Sequence, residues 1–365
     1  MQERLENFFK KLKEQSIDSA FITSKANVYY LSNYYTEPHE RIVGIYLSEN
    51  FDPVFLLPKM EESDARNAGW KYTILSYYDH ENPWKLLIDY LNKQSHQPQS
   101  VALEQDHITM ERYQAIQNIL PEAQFQDAKE LLAQLRVIKS EKELSLLKTA
   151  AELADFGIQT GVETIQEGVS ELDLVATIEY SLKKQGIREM SFQTMALSGA
   201  KTASPHGNPS TSKLEKNGFV LFDLGVIYQG YCSDITRTVA FGNLTEEQKS
   251  IYETVLKAEV AAIERSTIGS SVGAIDQTAR KTITDAGYGK YFTHRIGHGI
   301  GIETHEYPSM HGENNLPLQS GMTFTIEPGI YVPNVGGVRI EDMIYMTEEG
   351  PKILTKYPKN LQIVN

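Results

Sequence analysis

Two pairs of acidic residues, each on facing stretches of otherwise apolar chain, constrain this fold more than any other feature. Residues 219 to 242, FVLFDLGVIYQGYCSDITRTVAFG, carry two β-branched and aromatic runs about a turn signal at Tyr228-Gln229-Gly230, the pattern of a hairpin. A loop of Tyr228 and Gln229 sets Asp223 opposite Asp234, with Cβ atoms about 5 Å apart. Further on, TFTIEPGIYV and GVRIEDMIYM flank Pro333-Asn334-Val335, and Glu327 and Glu341 lie symmetrically about that centre. Like charges facing each other repel, and a buried unpaired carboxylate is costly. Cations remove that cost.

His298 completes a set of five possible ligands. Four of the nine histidines fall between residues 294 and 311, a clustering that random placement rarely gives. Four carboxylates and one imidazole, with no thiolate, suit manganese, cobalt, iron or zinc in a two-metal site better than a structural zinc. Four negative charges also balance two divalent cations. Paired ions about 3.5–4 Å apart can hold a bridging hydroxide and polarise a carbonyl together, which suits amide hydrolysis.

The N-terminal part alternates helix and strand. Helices are expected over 2–14, 59–68, 83–94 and 109–120, and strands at 18–23, 43–47, 54–57, 72–76 and 101–104. That order predicts a small α/β domain with a mixed sheet. The tyrosine-rich stretch YYLSNYYTEPHERI, residues 29 to 42, reads as a loop. Ser140-Glu141-Lys142-Glu143 is a capping box opening a long helix with Leu144, Leu147, Ala151 and Ala154 on one face. The expected domains are therefore 1–136 and 137–365, and the class is α+β. An offset of 101 residues pairs Gly168 with Gly269, Ser170 with Ser271, Leu174 with Ile275 and Gly186 with Gly287. Both copies read as helix, Gly-Ser turn, helix, Gly stop.

Composition narrows the setting. A single cysteine excludes an intrachain disulfide and fits a reducing, cytoplasmic compartment. The charged amphipathic N-terminal segment is not a signal peptide, and no apolar run reaches the roughly 18 residues of a membrane span. A net charge of −13 without any basic tract argues against nucleic acid as a partner.

In order and spacing, FDLG…YCSDITRT, HRIGHGIGIETHE, TIEPGIY and GGVRIED resemble the ligand motifs of the pita-bread metallopeptidases. That family includes methionine aminopeptidase, aminopeptidase P and Xaa-Pro dipeptidase (prolidase). The likeness is strong over residues 140 to 365, and the preceding segment resembles the creatinase/prolidase N-terminal domain. Length and layout are most similar to a short bacterial Xaa-Pro dipeptidase. The resemblance implies a C-terminal pita-bread domain whose halves are related by a pseudo-two-fold axis, with two divalent ions between them, manganese foremost. Asp223 is then implied to bind one ion, Asp234 and Glu341 to bridge both, and His298 and Glu327 to complete the shells. Glu327 is also the implied proton shuttle. His206, in SPHGNPS, and His305, in ETHE, match the non-ligand histidines that contact substrate and oxyanion. Arg339, two residues before Glu341 on the same strand face, can hydrogen-bond an acidic ligand. His294 is placed to line the pocket. Gly297, Gly299 and Gly301 lack the GxGxxG spacing of a dinucleotide site and read as points where backbone approaches metals and substrate.

The implied substrate is a peptide with proline in second position, whose tertiary amide offers no N–H to grip. A dipeptidase must also hold the free C-terminal carboxylate, normally with arginine. Here the chain departs from the pattern, because Ser309 stands four residues past His305 where the dipeptidase arginine is expected. Either Arg295, Arg41 or His39 is the anchor, or the enzyme prefers longer peptides, as aminopeptidase P does. His39 and Arg41 lie in the 29–42 stretch, which in relatives reaches the partner subunit's active site, so a homodimer is implied. A non-catalytic peptide-binding module of the same fold is the remaining alternative, disfavoured by the presence of all five ligands.

Overall fold

Apolar strands alternating with capped helices build one six-stranded mixed sheet from the first third of the chain. The computed structural model describes residues 1–365, which divide into units Met1–Arg136 and Val137–Asn365. In the first unit the strand order is Thr73–Tyr77, Phe51–Pro58, Gly44–Ser48, Ser19–Ile22, Ser100–Leu103, Gln124–Asp127. Gly44–Ser48 is antiparallel to both its neighbours, and the other three pairings are parallel. Ser19–Ile22 and Ser100–Leu103 are buried throughout, as strands covered on both faces must be. The edge strand Gln124–Asp127 is mostly exposed and polar, so it carries no hydrophobic signal and was not expected from sequence.

The 29–42 stretch is not wholly a loop. Helix Lys25–Ser32 takes in its first four residues, with Ser24 as N-cap accepting from the Asn27 N–H. The distant Glu104 carboxylate fixes this helix end. It accepts from the N–H groups of Thr23 and Ser24 and from the Asn27 amide. A contact across some 80 positions overrides the local loop composition.

The second unit opens with helix Glu141–Glu163, whose capping box joins Ser140 and Glu143 reciprocally. The repeat offset by 101 residues is real in the backbone. Helices Glu171–Lys184 and Val272–Asp285 are capped by Ser170 and Ser271. Gly168 and Gly269 have φ of 85° and 82°, and Gly186 and Gly287 have 90° and 89°. Two sheets carry the polar residues of interest. One orders Ile363–Val364, Ile235–Phe241, Gly218–Leu224, Met195–Ser198; the other orders Glu306–Met310, Gly297–Gly299, Thr323–Ile326, Asp342–Thr347, Gly350–Ile353.

The first acidic hairpin turns at Gln229-Gly230, both with positive φ (46° and 81°), which is what a type I′ turn needs. Tyr231 therefore pairs with Tyr228, and Asp223 faces Thr236, not Asp234. Asp234 lies two residues before Thr236, a diagonal neighbour of Asp223 on the same face. In the second hairpin Ile326 pairs with Asp342 and Gly329 with Arg339, so one register runs through Glu327 and Glu341.

Candidate metal centre

Three of the four acids sit where strand ladders are interrupted. Asp234 sits in the break between Tyr231–Cys232 and Ile235–Phe241. Glu327 and Glu341 sit in the break that separates the outer pair Thr323–Ile326 and Asp342–Thr347 from the inner pair Gly329–Val332 and Gly336–Arg339. Their backbones are instead tied sideways: the Glu327 N–H donates to Ile296 and the Glu341 N–H to Thr236. These three acids, with Asp223 from within strand Gly218–Leu224 and His298 from strand Gly297–Gly299, line one cavity of about 370 Å³.

His298 Nε2 lies 3.3 Å from Glu327 Oε1 and 3.6 Å from Asp234 Oδ2. Ligand atoms of Asp234, His298 and Glu341 all fall within 4.8 Å of one another. The His298 Nδ1 faces the Gly299 carbonyl at 3.1 Å. A carbonyl can only accept, so Nδ1 donates to it and Nε2 is the nitrogen that faces the acids.

Electrostatics in this cavity favour a cation or a proton beside its carboxylates. Burial, followed by repulsion from Glu341 and Asp223, pushes the Asp234 carboxyl well up. Burial, with repulsion from Glu327 and Asp223, does the same to Glu341. Asp223 is raised by burial too, against the pull of Arg339. Glu327 goes the other way: burial would raise it, but the His298 hydrogen bond and charge bring it below its usual range. Asp223 Oδ1 and Glu341 Oε1 are buried without a hydrogen-bond partner, and an orphan oxygen of that kind carries its full desolvation cost. A divalent cation fits this donor set on both counts.

A directed network steadies the cavity wall. Arg339 donates from Nη2 to Asp223 Oδ2, from Nη1 to the Tyr331 hydroxyl (2.8 Å) and from Nε to Thr236 Oγ1 (3.1 Å). The Thr236 hydroxyl in turn donates to Glu341 Oε2 at 2.7 Å. His294 donates from Nδ1 to the Arg295 carbonyl, so its Nε2 accepts from Tyr331 at 2.9 Å. Thr236 and Tyr331 lie inside the motifs YCSDITRT and TIEPGIY, and strand alternation puts them on the faces of Asp234 and Glu327; the bonds they make could not be read from either.

The histidines differ in setting. His305 packs edge-on to His298, ring centroids 4.2 Å apart, while its other side meets solvent. Lost hydration on the packed side and the neighbouring His298 push it down to about 4, so it is neutral at pH 7. His206 is exposed at the cavity rim beside Pro205. Arg295 lines the cavity and donates to Ser309 Oγ at 2.9 Å. His39 and Arg41 belong to the first unit. His39 is exposed with a φ of 53°, and Arg41 pairs with Asp79 and Glu40. Gly297 and Gly299 serve neighbouring strands, not the cavity: an added Cβ would stand 2.0 Å from the Thr325 oxygen or 2.2 Å from the Tyr307 oxygen.

Residues 145–348 match metallopeptidase family M24, and residues 4–138 match the creatinase/prolidase N-terminal domain. A putative dipeptidase, YkvY, of Bacillus subtilis (strain 168) is 52% identical over 361 residues, covering 99% of each chain. An Xaa-Pro dipeptidase structure from Bacillus anthracis superposes with a TM-score of 0.92 at 34% identity, covering 100% of this chain and 99% of that one. An X-Pro aminopeptidase from Thermotoga maritima MSB8 gives 0.87 at 28%, covering 97% and 100%. Cavity, fold and likeness together place this chain in metallopeptidase family M24, with the pita-bread fold in its C-terminal unit.

Proposed function

We propose that the chain is a prolidase-type dipeptidase that uses two divalent ions to hydrolyse Xaa-Pro peptides. The observation carrying this is the convergence of four carboxylates and His298 on one cavity holding two partnerless carboxylate oxygens. Asp223, Asp234, His298, Glu327 and Glu341 are assigned to hold the ions, and the hard donor set favours manganese over cobalt, zinc or iron. Such a pair supplies Lewis acidity and an acidified water. Glu327 is the base that takes a proton from the attacking water and returns it to the leaving amine. His305, neutral, and His206, at the rim, donate to the developing oxyanion. Arg339 keeps Asp223 oriented, and His294 holds Tyr331 in the wall.

Arg295 is assigned the substrate's C-terminal carboxylate, since its guanidinium reaches the side chain at position 309. His39 and Arg41 are assigned to the partner's cavity in a cytoplasmic homodimer, a role that needs Arg41 to exchange its Asp79 contact for substrate. No helix is long and apolar enough to cross a membrane. Ser309, in place of arginine, supports a second reading: an aminopeptidase P acting on longer Xaa-Pro peptides. Hydrolysis of Ala-Pro and Ala-Pro-Ala after chelation and re-addition of single metals decides between them. Cleavage of Ala-Pro alone supports the dipeptidase, cleavage of the tripeptide supports the second reading, and no metal-dependent cleavage of either refutes both.

A further inference from the structure

One buried acid in the second unit takes no part in the chemistry above. Glu171 opens helix Glu171–Lys184, and its side chain is 1% exposed. Its Oε1 accepts from the Ser198 N–H at 3.0 Å. Its Oε2 accepts from Lys201 Nζ, from the Ser210 N–H at 2.9 Å and from the Ser210 hydroxyl at 3.0 Å. These partners bracket residues 199–210, the segment whose middle carries His206 to the cavity rim. The helix end also grips the segment through its backbone, Glu171 N–H to Ser212 and Leu172 N–H to Ser210, both at 3.1 Å.

The internal repeat tells whether folding needs the carboxylate. An offset of 101 puts Val272 at the position of Glu171. There the matching helix end makes the same backbone grip, Val272 N–H to Leu316 at 2.9 Å and Gly273 N–H to Asn314 at 2.7 Å. Valine suffices in that half. The acid at 171 is therefore an addition to the shared scaffold, and all its bonds go to the His206 segment.

The geometry points to Glu171 as a positioning residue: its carboxylate clamps both ends of segment 199–210 and so holds His206 at the rim during turnover. Charge-assisted bonds to a carboxylate are roughly twice as strong as neutral ones, and a side chain this buried keeps that advantage. The inference rests on the substrate contact assigned to His206, and the test separates the two. In the metal-loaded enzyme, Glu171→Gln should lower kcat/KM on the cleaved Xaa-Pro peptide at least tenfold while metal affinity stays within twofold. In a double-mutant cycle with His206→Ala, the second substitution should add nothing, because both act on one step. Ser210→Ala removes one donor with little risk to folding, and should give a smaller loss that also vanishes in the His206→Ala background. Losses that multiply, a Glu171→Gln or Ser210→Ala enzyme within twofold of wild type, or weakened metal binding overturn the clamp. An His206→Ala enzyme of full activity removes the role of His206 itself, and the clamp's purpose with it.

Discussion

Four carboxylates share one cavity, yet their surroundings give them opposite proton affinities. Asp223, Asp234 and Glu341 are driven up by burial and mutual repulsion, whereas His298 holds Glu327 down. That split sets Glu327 apart from the other three, and Glu327 is the residue assigned the proton transfer. Glu327→Gln keeps the volume and removes the basicity, so kcat should fall on the order of 10²–10⁴-fold with little change in Tm; steady-state turnover near the wild-type value would dismiss the shuttle. Thr236 acts one bond further out, holding Glu341 Oε2 and leaving Oε1 to face the cavity. Thr236→Val preserves shape but not the hydroxyl. Metal affinity, measured by chelator competition, should weaken about 10–100-fold; unchanged affinity would show that Glu341 orients itself.

Elements decide how closely these residues can gather. The strand Gly297–Gly299 lies so near its neighbours that a Cβ on Gly297 would meet the Thr325 backbone oxygen at 2.0 Å and its carbonyl carbon at 2.7 Å. No rotamer relieves a clash with main chain. Gly297→Ala should therefore destabilise by about 1–3 kcal/mol or more, read as a lower urea midpoint; a wild-type midpoint would mean the strands separate freely. The glycine alternation was visible in sequence, but its reason was a neighbouring strand, which no local pattern names. Turn chemistry was likewise half legible. Tyr228-Gln229-Gly230 marks a two-residue loop, and the need for positive φ at both central positions moves it to Gln229-Gly230. The two acids then share a face as diagonal neighbours instead of facing directly.

At the scale of the whole molecule, a buried ionic cluster ties the C-terminal tail to strand Asp342–Thr347, which follows Glu341 directly. Arg237 donates to the Glu341 carbonyl and to Asp342 Oδ1, while Lys359 spans Asp342 Oδ2 and Glu259 Oε1 at 2.6 and 2.7 Å. Burial, reinforced by the Asp342 charge, pushes Glu259 up to about 8 from an ordinary 4.5. The folded state thus keeps a proton that the unfolded chain releases. This stabilisation is complete below pH 4.5 and is lost as pH rises through about 8. Tm should accordingly fall more steeply between about pH 5 and 8 in the wild type than in Glu259→Gln, whose amide cannot titrate. Parallel slopes in thermal melts would place that proton elsewhere.

Sequence by itself determined which residue types had to be reconciled: acids on apolar strands, a histidine cluster, a capping box at Ser140 and a repeat offset by 101 positions. Each is read from residue order along the chain, with no knowledge of what packs against what. Tertiary structure decided which oxygens of Asp223 and Glu341 are free, which nitrogen of His298 faces the acids and which residues steady the wall. Those outcomes hang on hydrogen bonds such as Thr236 to Glu341, made across 105 positions. Local preference carries no information over that distance; only the packed chain brings the partners within reach.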